Sequence, residues 1–193
     1  MGIRDLFRKK GQPEIVGSKV LVCSLDPNFA DLLNADSNSY SQFYPTPTAT
    51  TFNSIQELSG TIRKGYDIVH LLCAASPEGI VTDSGGATIS GTNLIQVCCD
   101  ADVKLLWIAS ENKPETYIKG FKAGGKRLNL VMTINRQGKH FSAFLEKLLS
   151  RMKAGETMPE AWVAISPQSP NDPRQKDSPA CIFAAGYGAI KLR

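Results

Sequence analysis

Residues 66–73 read Tyr66-Asp67-Ile68-Val69-His70-Leu71-Leu72-Cys73, and residues 103–109 read Val103-Lys104-Leu105-Leu106-Trp107-Ile108-Ala109. Neither run alternates apolar with polar residues, and both are too short for a core helix. A strand that is apolar on both faces has both faces covered, which is the condition of a strand inside a parallel sheet. Working outward, Ser18 to Leu25 and Leu128 to Ile134 have the same character.

Helical patterns separate these strands. Asn53 is placed to cap a helix carrying Ile55, Leu58 and Ile62 and ending at Gly65. Leu94, Ile95, Val97 and Cys98 mark a second helix that stops near Asp100, and Pro114 opens a third that ends at Gly124 and Gly125. The clearest helix covers residues 139–154, where Phe141, Phe144, Leu145, Leu148, Leu149 and Met152 form one apolar stripe closed by Gly155. Met158 to Ile165 reads as a further helix, residues 166–180 with four prolines as a loop, and Cys181 to Ile190 as a last strand. Residues 26–52 are rich in Asn, Ser, Thr and Pro and read as irregular, with a short helix at 28–34 and an extended piece at 47–52. Glycines at 79, 85, 86 and 91 surround short β-like pieces. Strands alternating with helices predict an α/β fold, a three-layer α/β/α sandwich on a mostly parallel central sheet. Residues 17–193 are expected to form one domain behind a basic tail at 1–16.

Charge is unevenly placed. The net +4 of the 193 residues divides into +3 over residues 1–10, −7 over 11–112, +8 over 113–153 and zero over 154–193. Such polarity points to a charged partner and is silent on fold. The bases of the third block are Lys113, Lys119, Lys122, Lys126 and Arg127 before the fourth strand, and Arg136, Lys139, Lys147, Arg151 and Lys153 after it. Lys147, Arg151 and Lys153 lie off the apolar stripe and form a candidate partner surface. Aromatic residues interleave thinly here (Tyr117 and Phe121), which favours an acidic protein over nucleic acid. No run is apolar enough for a membrane span, and the N-terminus lacks the apolar core of a signal peptide, so a cytoplasmic location is expected.

Chemistry in such sheets gathers at the carboxyl ends of the strands. Three ends qualify: Cys73 to Ser76, Ala109 to Asn112, and Asn135 to Gly138. Phosphate-binding patterns fail, since Gly186-Tyr187-Gly188 lacks the third glycine of a dinucleotide fingerprint and no P-loop occurs. A nucleophile elbow is absent as well. The five cysteines (Cys23, Cys73, Cys98, Cys99, Cys181) form no C-x-x-C pair, so neither a disulfide framework, a metal site nor a cofactor is expected.

Tyr66-Asp67-x-x-His70, followed by three residues and then Ala74-Ala75, resembles the signature strand of the CHAT family, caspase-like peptidases related to separase, in which His-Gly stands at the last two positions. Leu105 to Asn112 resembles the second signature, an apolar strand ending in Ala-Cys-Glu-Ser. Glu160-Ala161 and the stretch from Phe183 to Gly188 resemble later family elements, so the likeness runs over about residues 60–193. It implies a caspase-like sheet and a His–Cys dyad, with the His position at Ala74 and the Cys position at Ser110. Ala74 can accept no proton, and a serine without an adjacent base is a weak nucleophile. The resemblance therefore implies a degenerate member that binds a protein: a copy of itself, edge to edge, or an active peptidase that it regulates. The implied setting is a prokaryotic antiviral-defence or cell-death system.

Two alternatives stay open. One is an active hydrolase using Ser110 or Cys73. The other is a flavodoxin-like or receiver-like binding module, though Asp26 alone supports a receiver poorly. Of the two histidines, His70 reads as a core residue and His140 as an exposed or capping one.

Overall fold

A computed structural model describes residues 19–76, 78–110, 128–134, 140–169, 171–176 and 178–184. The N-terminal tail, the expected helix after Pro114, the strand end 135–138 and the glycines at 186 and 188 lie outside these residues.

The chain enters the sheet with β1 (Val20–Ser24), turns through Pro27–Phe29, and continues as α1 (Ala30–Ser41). Strand β2 (Thr48–Thr51) and helix α2 (Ile55–Ile62) follow, then β3 (Ile68–Leu72). A hairpin of β4 (Ile80–Thr82) and β5 (Thr88–Ser90) leads into α3 (Gly91–Asp100) and β6 (Leu105–Ser110). Strand β7 (Asn129–Ile134), α4 (His140–Lys153), α5 (Met158–Ile165) and β8 (Ala180–Ala184) complete the described elements.

The main sheet runs β2-β1-β3-β6-β7-β8. Its first five strands are parallel and β8 is antiparallel to β7. All of β1 and β3 is buried, as their two-sided apolar sequences require. Alternate residues feed two cores. Val20, Val22, Ile68, Leu72, Leu105, Trp107 and Val131 pack against α1, α4 and α5. Leu21, Cys23, Val69, Leu71, Leu106, Ile108 and Leu130 pack against α2 and α3. The fold is thus a three-layer α/β/α sandwich, and each large side chain it fully buries contributes roughly 1.5–3 kcal/mol.

Three expectations are corrected. The short helix at 28–34 is a 3-10 turn followed by a helix reaching Ser41. Its low amphipathicity hid it, because the buried side carries Asp36, Ser37, Ser39 and Tyr40 as well as Leu33. The cap of α2 is Ser54, whose hydroxyl accepts from the Glu57 amide at 3.2 Å, while the Asn53 amide donates to the Glu57 carboxylate at 3.1 Å. The closing strand begins at Ala180, and its described part ends at Ala184. Likewise, the extended piece at 47–52 becomes β2, an edge strand in register with β1 from Leu21↔Thr48 to Ser24↔Thr51.

Candidate functional site

Parallel pairing of β3 with β6 aligns Leu72 with Ala109, and the Cys73 amide donates to the Ala109 carbonyl at 3.2 Å. Ala74 and Ser110 therefore stand at the carboxyl ends of neighbouring strands, the place where an α/β sheet exposes its loops. Ala74 is exposed, whereas Ala75 is buried under the hairpin through a bridge to Val81. Asp83 fixes that hairpin to the helix beside it. Its carboxylate accepts from the amides of Gly85 (3.0 Å), Ala87 (2.9 Å) and, across the layer, Ile55 (3.1 Å). At the same edge the Ser76 hydroxyl donates to Glu78 at 2.7 Å and holds that exposed carboxyl below its ordinary range. An acid kept ionised in this way is not a general acid at neutral pH.

Cys73, the alternative nucleophile, is 1% exposed, and burial pushes its thiol up to about 12. Cys98 is pushed to about 12 by burial and then by Cys99, and Cys23 is raised by burial with smaller effects from Cys73 and Cys98. These thiols act as core hydrophobes, and Cys73 is no nucleophile near neutral pH. Vicinal Cys98 and Cys99 sit on α3 with Cys98 packed onto the sheet.

His70 is fully buried. Its Nδ1 meets the Tyr40 hydroxyl at 3.2 Å, and its Nε2 lies 3.4 Å from Asp36 Oδ2, an ion-pair distance wider than a hydrogen bond. The ring stacks on Trp107 with centroids 5.2 Å apart and 9° between planes. Trp107 in turn donates its indole N–H to Thr133. His70 is thus sealed in a polar network inside the α1 layer, away from solvent. Sequence reading missed Asp36 and Tyr40, whose four-residue spacing on a helix was the available signal. His140 is exposed at the first turn of α4.

The basic helix divides. Lys147 and Arg151 line an open groove of about 520 Å³ together with Gln42, Phe43, Ser150 and Ile165, and Lys153 is not part of it. Arg151 is already engaged: its Nε and Nη2 donate to the two Glu156 oxygens at 2.7 and 2.6 Å. That pairing follows from how α4 stops. Gly155 at φ +98° lets the Glu156 amide return to the Arg151 carbonyl and the Gly155 amide to Met152, which turns Glu156 back over the helix. Glu160, one of the residues that carry the family resemblance, closes a capping box with Thr157 through bonds of 2.8 Å from the Thr157 amide and hydroxyl.

Among the described residues no cluster of His, Cys, Asp or Glu is arranged to hold a metal ion. No described helix is long and apolar enough to cross a membrane. No protein-family model matches this chain, and no curated protein matches it.

Proposed function

We propose that this chain is a catalytically inactive CHAT- or caspase-like domain that works as a protein-binding or regulatory subunit. One observation carries the reading: the two positions that would hold a His–Cys dyad lie at the carboxyl ends of adjacent parallel strands and are occupied by Ala74 and Ser110. A dyad needs a base within hydrogen-bond reach of its nucleophile, and alanine supplies none. His70 offers no substitute, because its ring is buried against Asp36, Tyr40 and Trp107. Cys73 offers no thiolate. What remains is a rigid sheet with a polarised surface, consistent with a role in binding a copy of itself or an active peptidase within a prokaryotic defence or cell-death system.

The test is labelling of the purified full chain with a fluorophosphonate for serine and iodoacetamide for thiols, beside a peptide-cleavage assay. We expect no serine adduct, no Cys73 adduct in the native state, and no cleavage. Fluorophosphonate labelling or peptide cleavage that vanishes in Ser110→Ala would overturn the proposal in favour of a serine hydrolase.

A further inference from the structure

Strand β2 is an edge of the main sheet, with β1 on one side and no described strand on the other. Which backbone groups it leaves open follows from the parallel ladder. The Phe52 amide donates to the Ser24 carbonyl at 2.8 Å, and successive residues of a strand turn their amides and carbonyls to opposite sides. Thr48 and Thr50 therefore bond β1, while Ala49 and Thr51 each aim an amide and a carbonyl at the open side. The Thr51 carbonyl receives a long 3.5 Å contact from the Thr50 hydroxyl, which leaves it a second lone pair.

Sheet edges are ordinarily guarded by charge, by a bulge or by a proline within the strand. Strand β2 has none of these. Its register with β1 is unbroken from Leu21↔Thr48 to Ser24↔Thr51, and Thr48 and Ala49 are exposed. No residue from Ser37 to Gln56 carries a charge. The open stretch is also bounded evenly. Three residues before Thr50, Pro47 has no amide; three residues after it, the Asn53 amide is already given to Glu57 at 3.1 Å.

These features select the occupant. A strand whose outward groups lie symmetrically about one residue is matched by its own antiparallel copy, donor to acceptor. On a two-fold axis each central side chain meets its own kind, so a charge there would face its like. A neutral strand rich in Thr escapes that penalty, and it offers no ion-pair partner to a charged segment of another protein.

We infer that β2 binds β2 of a second copy, antiparallel about a two-fold axis at Thr50, joining the two sheets. Ala49 exchanges both backbone bonds with the partner's Thr51, and Thr51 with the partner's Ala49. Thr50 lies between them as a close, non-hydrogen-bonded pair with Cβ atoms about 4.5–5.5 Å apart. The inference rests on the protein-binding reading above and names its partner and its surface.

The experiment is sedimentation equilibrium of the purified full chain from about 1 μM to 1 mM, the range in which small interfaces associate, with amide exchange followed by NMR at both ends. A concentration-dependent dimer is expected, in which the Ala49 and Thr51 amides exchange more slowly as concentration rises. Thr50→Lys and Thr50→Glu set like charges face to face and should each raise the dissociation constant about tenfold or more; mixed in equal amounts, they should pair again. Ala49→Pro deletes an outward donor without touching a bond to β1, so it should give a folded monomer even if neither charged variant folds. Thr92→Lys, the same charge change at an exposed position on α3, should alter dimerisation less than about twofold.

A monomer throughout the range overturns the inference. So does a dimer that survives the β2 variants, a dimer in which Ala49 and Thr51 exchange freely, or folded charged variants that do not pair when mixed. Fluorophosphonate added to the same samples separates the two proposals. Ser110 labelling with an intact dimer breaks the inactive-peptidase reading alone, whereas an unlabelled monomer breaks the β2 pairing alone.

Discussion

On one side of the sheet, Leu58 and Ile62 of α2 and Leu94, Ile95 and Cys98 of α3 meet Leu21, Cys23, Val69 and Leu71 in a core of hydrocarbon and thiol. On the other, α1 brings Asp36, Ser39 and Tyr40 against His70, Ser142 and Glu146, and sets them among Trp107, Phe141 and Trp162. Apolar volume does most to position the first layer, the Asp83 bond to the Ile55 amide being its polar tie, and several near-equivalent packings of similar apolar residues satisfy such a core. Hydrogen-bonding groups position the second, because a buried polar atom is satisfied in few registers. The groove opens on this second, more tightly located layer, between helices whose spacing Ser39 helps to set.

The largest effect expected from that contrast is at Asp36. Truncation to Ala leaves His70 Nε2 buried without the acid beside it, and a buried polar group left unsatisfied costs about 1–3 kcal/mol. Urea unfolding of Asp36→Ala should show this loss, and the double variant Asp36→Leu/His70→Phe should regain most of it, since apolar replacement of both partners is often neutral. A single-variant loss below about 1 kcal/mol would mean that the two layers are held by the same forces.

Alkaline pH probes the opposite layer. Unfolded Cys73 and Cys98 titrate near their ordinary value of 9, and in the fold burial moves both to about 12. Between these values the folded state holds more protons than the unfolded one, so stability falls as pH rises. The stabilisation is whole below pH 9 and is lost at about 1.4 kcal/mol per pH unit per thiol above it. Tyr40 and Tyr44, raised by burial in the polar layer, add a loss of the same sign above their ordinary 10. Cys73→Ala/Cys98→Ala should reduce the slope of urea midpoint against pH above 9 and leave the contributions of Cys23, also raised by burial, and of the tyrosines. An unchanged slope would place the alkaline sensitivity outside Cys73 and Cys98.

The same contrast explains what the sequence made legible. Strands β3 and β6 were readable because burial on both faces leaves no polar register, and α4 because its stripe is purely apolar. Helix α1 was not, since the residues it buries are those usually read as loop formers, and only the fold supplies their partners. The neighbouring placement of Ala74 and Ser110 follows from strand order, which alternation of strands and helices restricts without fixing. The groove was half visible. Lys147 and Arg151 stood out as charges off a stripe, but its floor comes from Phe43 and Ile165, more than a hundred residues apart in the chain. The engagement of Arg151 depends on a turn whose only sequence trace is Gly155 followed by Glu156.

The smallest expected effects come from the two helix ends, one in each layer, built to the same pattern with different residues. In α4 the Glu156 and Gly155 amides return to Arg151 and Met152; in α3 the Val103 and Asp102 amides return to Cys98 and Cys99. Both turns need a left-handed residue, which is Gly155 at φ +98° in one and Asp102 at φ +56° in the other. An L side chain in that region costs roughly 1–2 kcal/mol, and glycine loses about 0.5–1 kcal/mol of chain entropy on being fixed. No atom lies within 4 Å of a methyl group added at Gly155, so Gly155→Ala should cost about 1 kcal/mol through backbone strain alone. Asp102→Gly should have the opposite sign and gain about 0.5 kcal/mol, reduced slightly by loss of the exposed contact with Lys104. Thermal denaturation of both variants decides the matter. An unchanged melting temperature in Gly155→Ala would remove backbone strain as the cause.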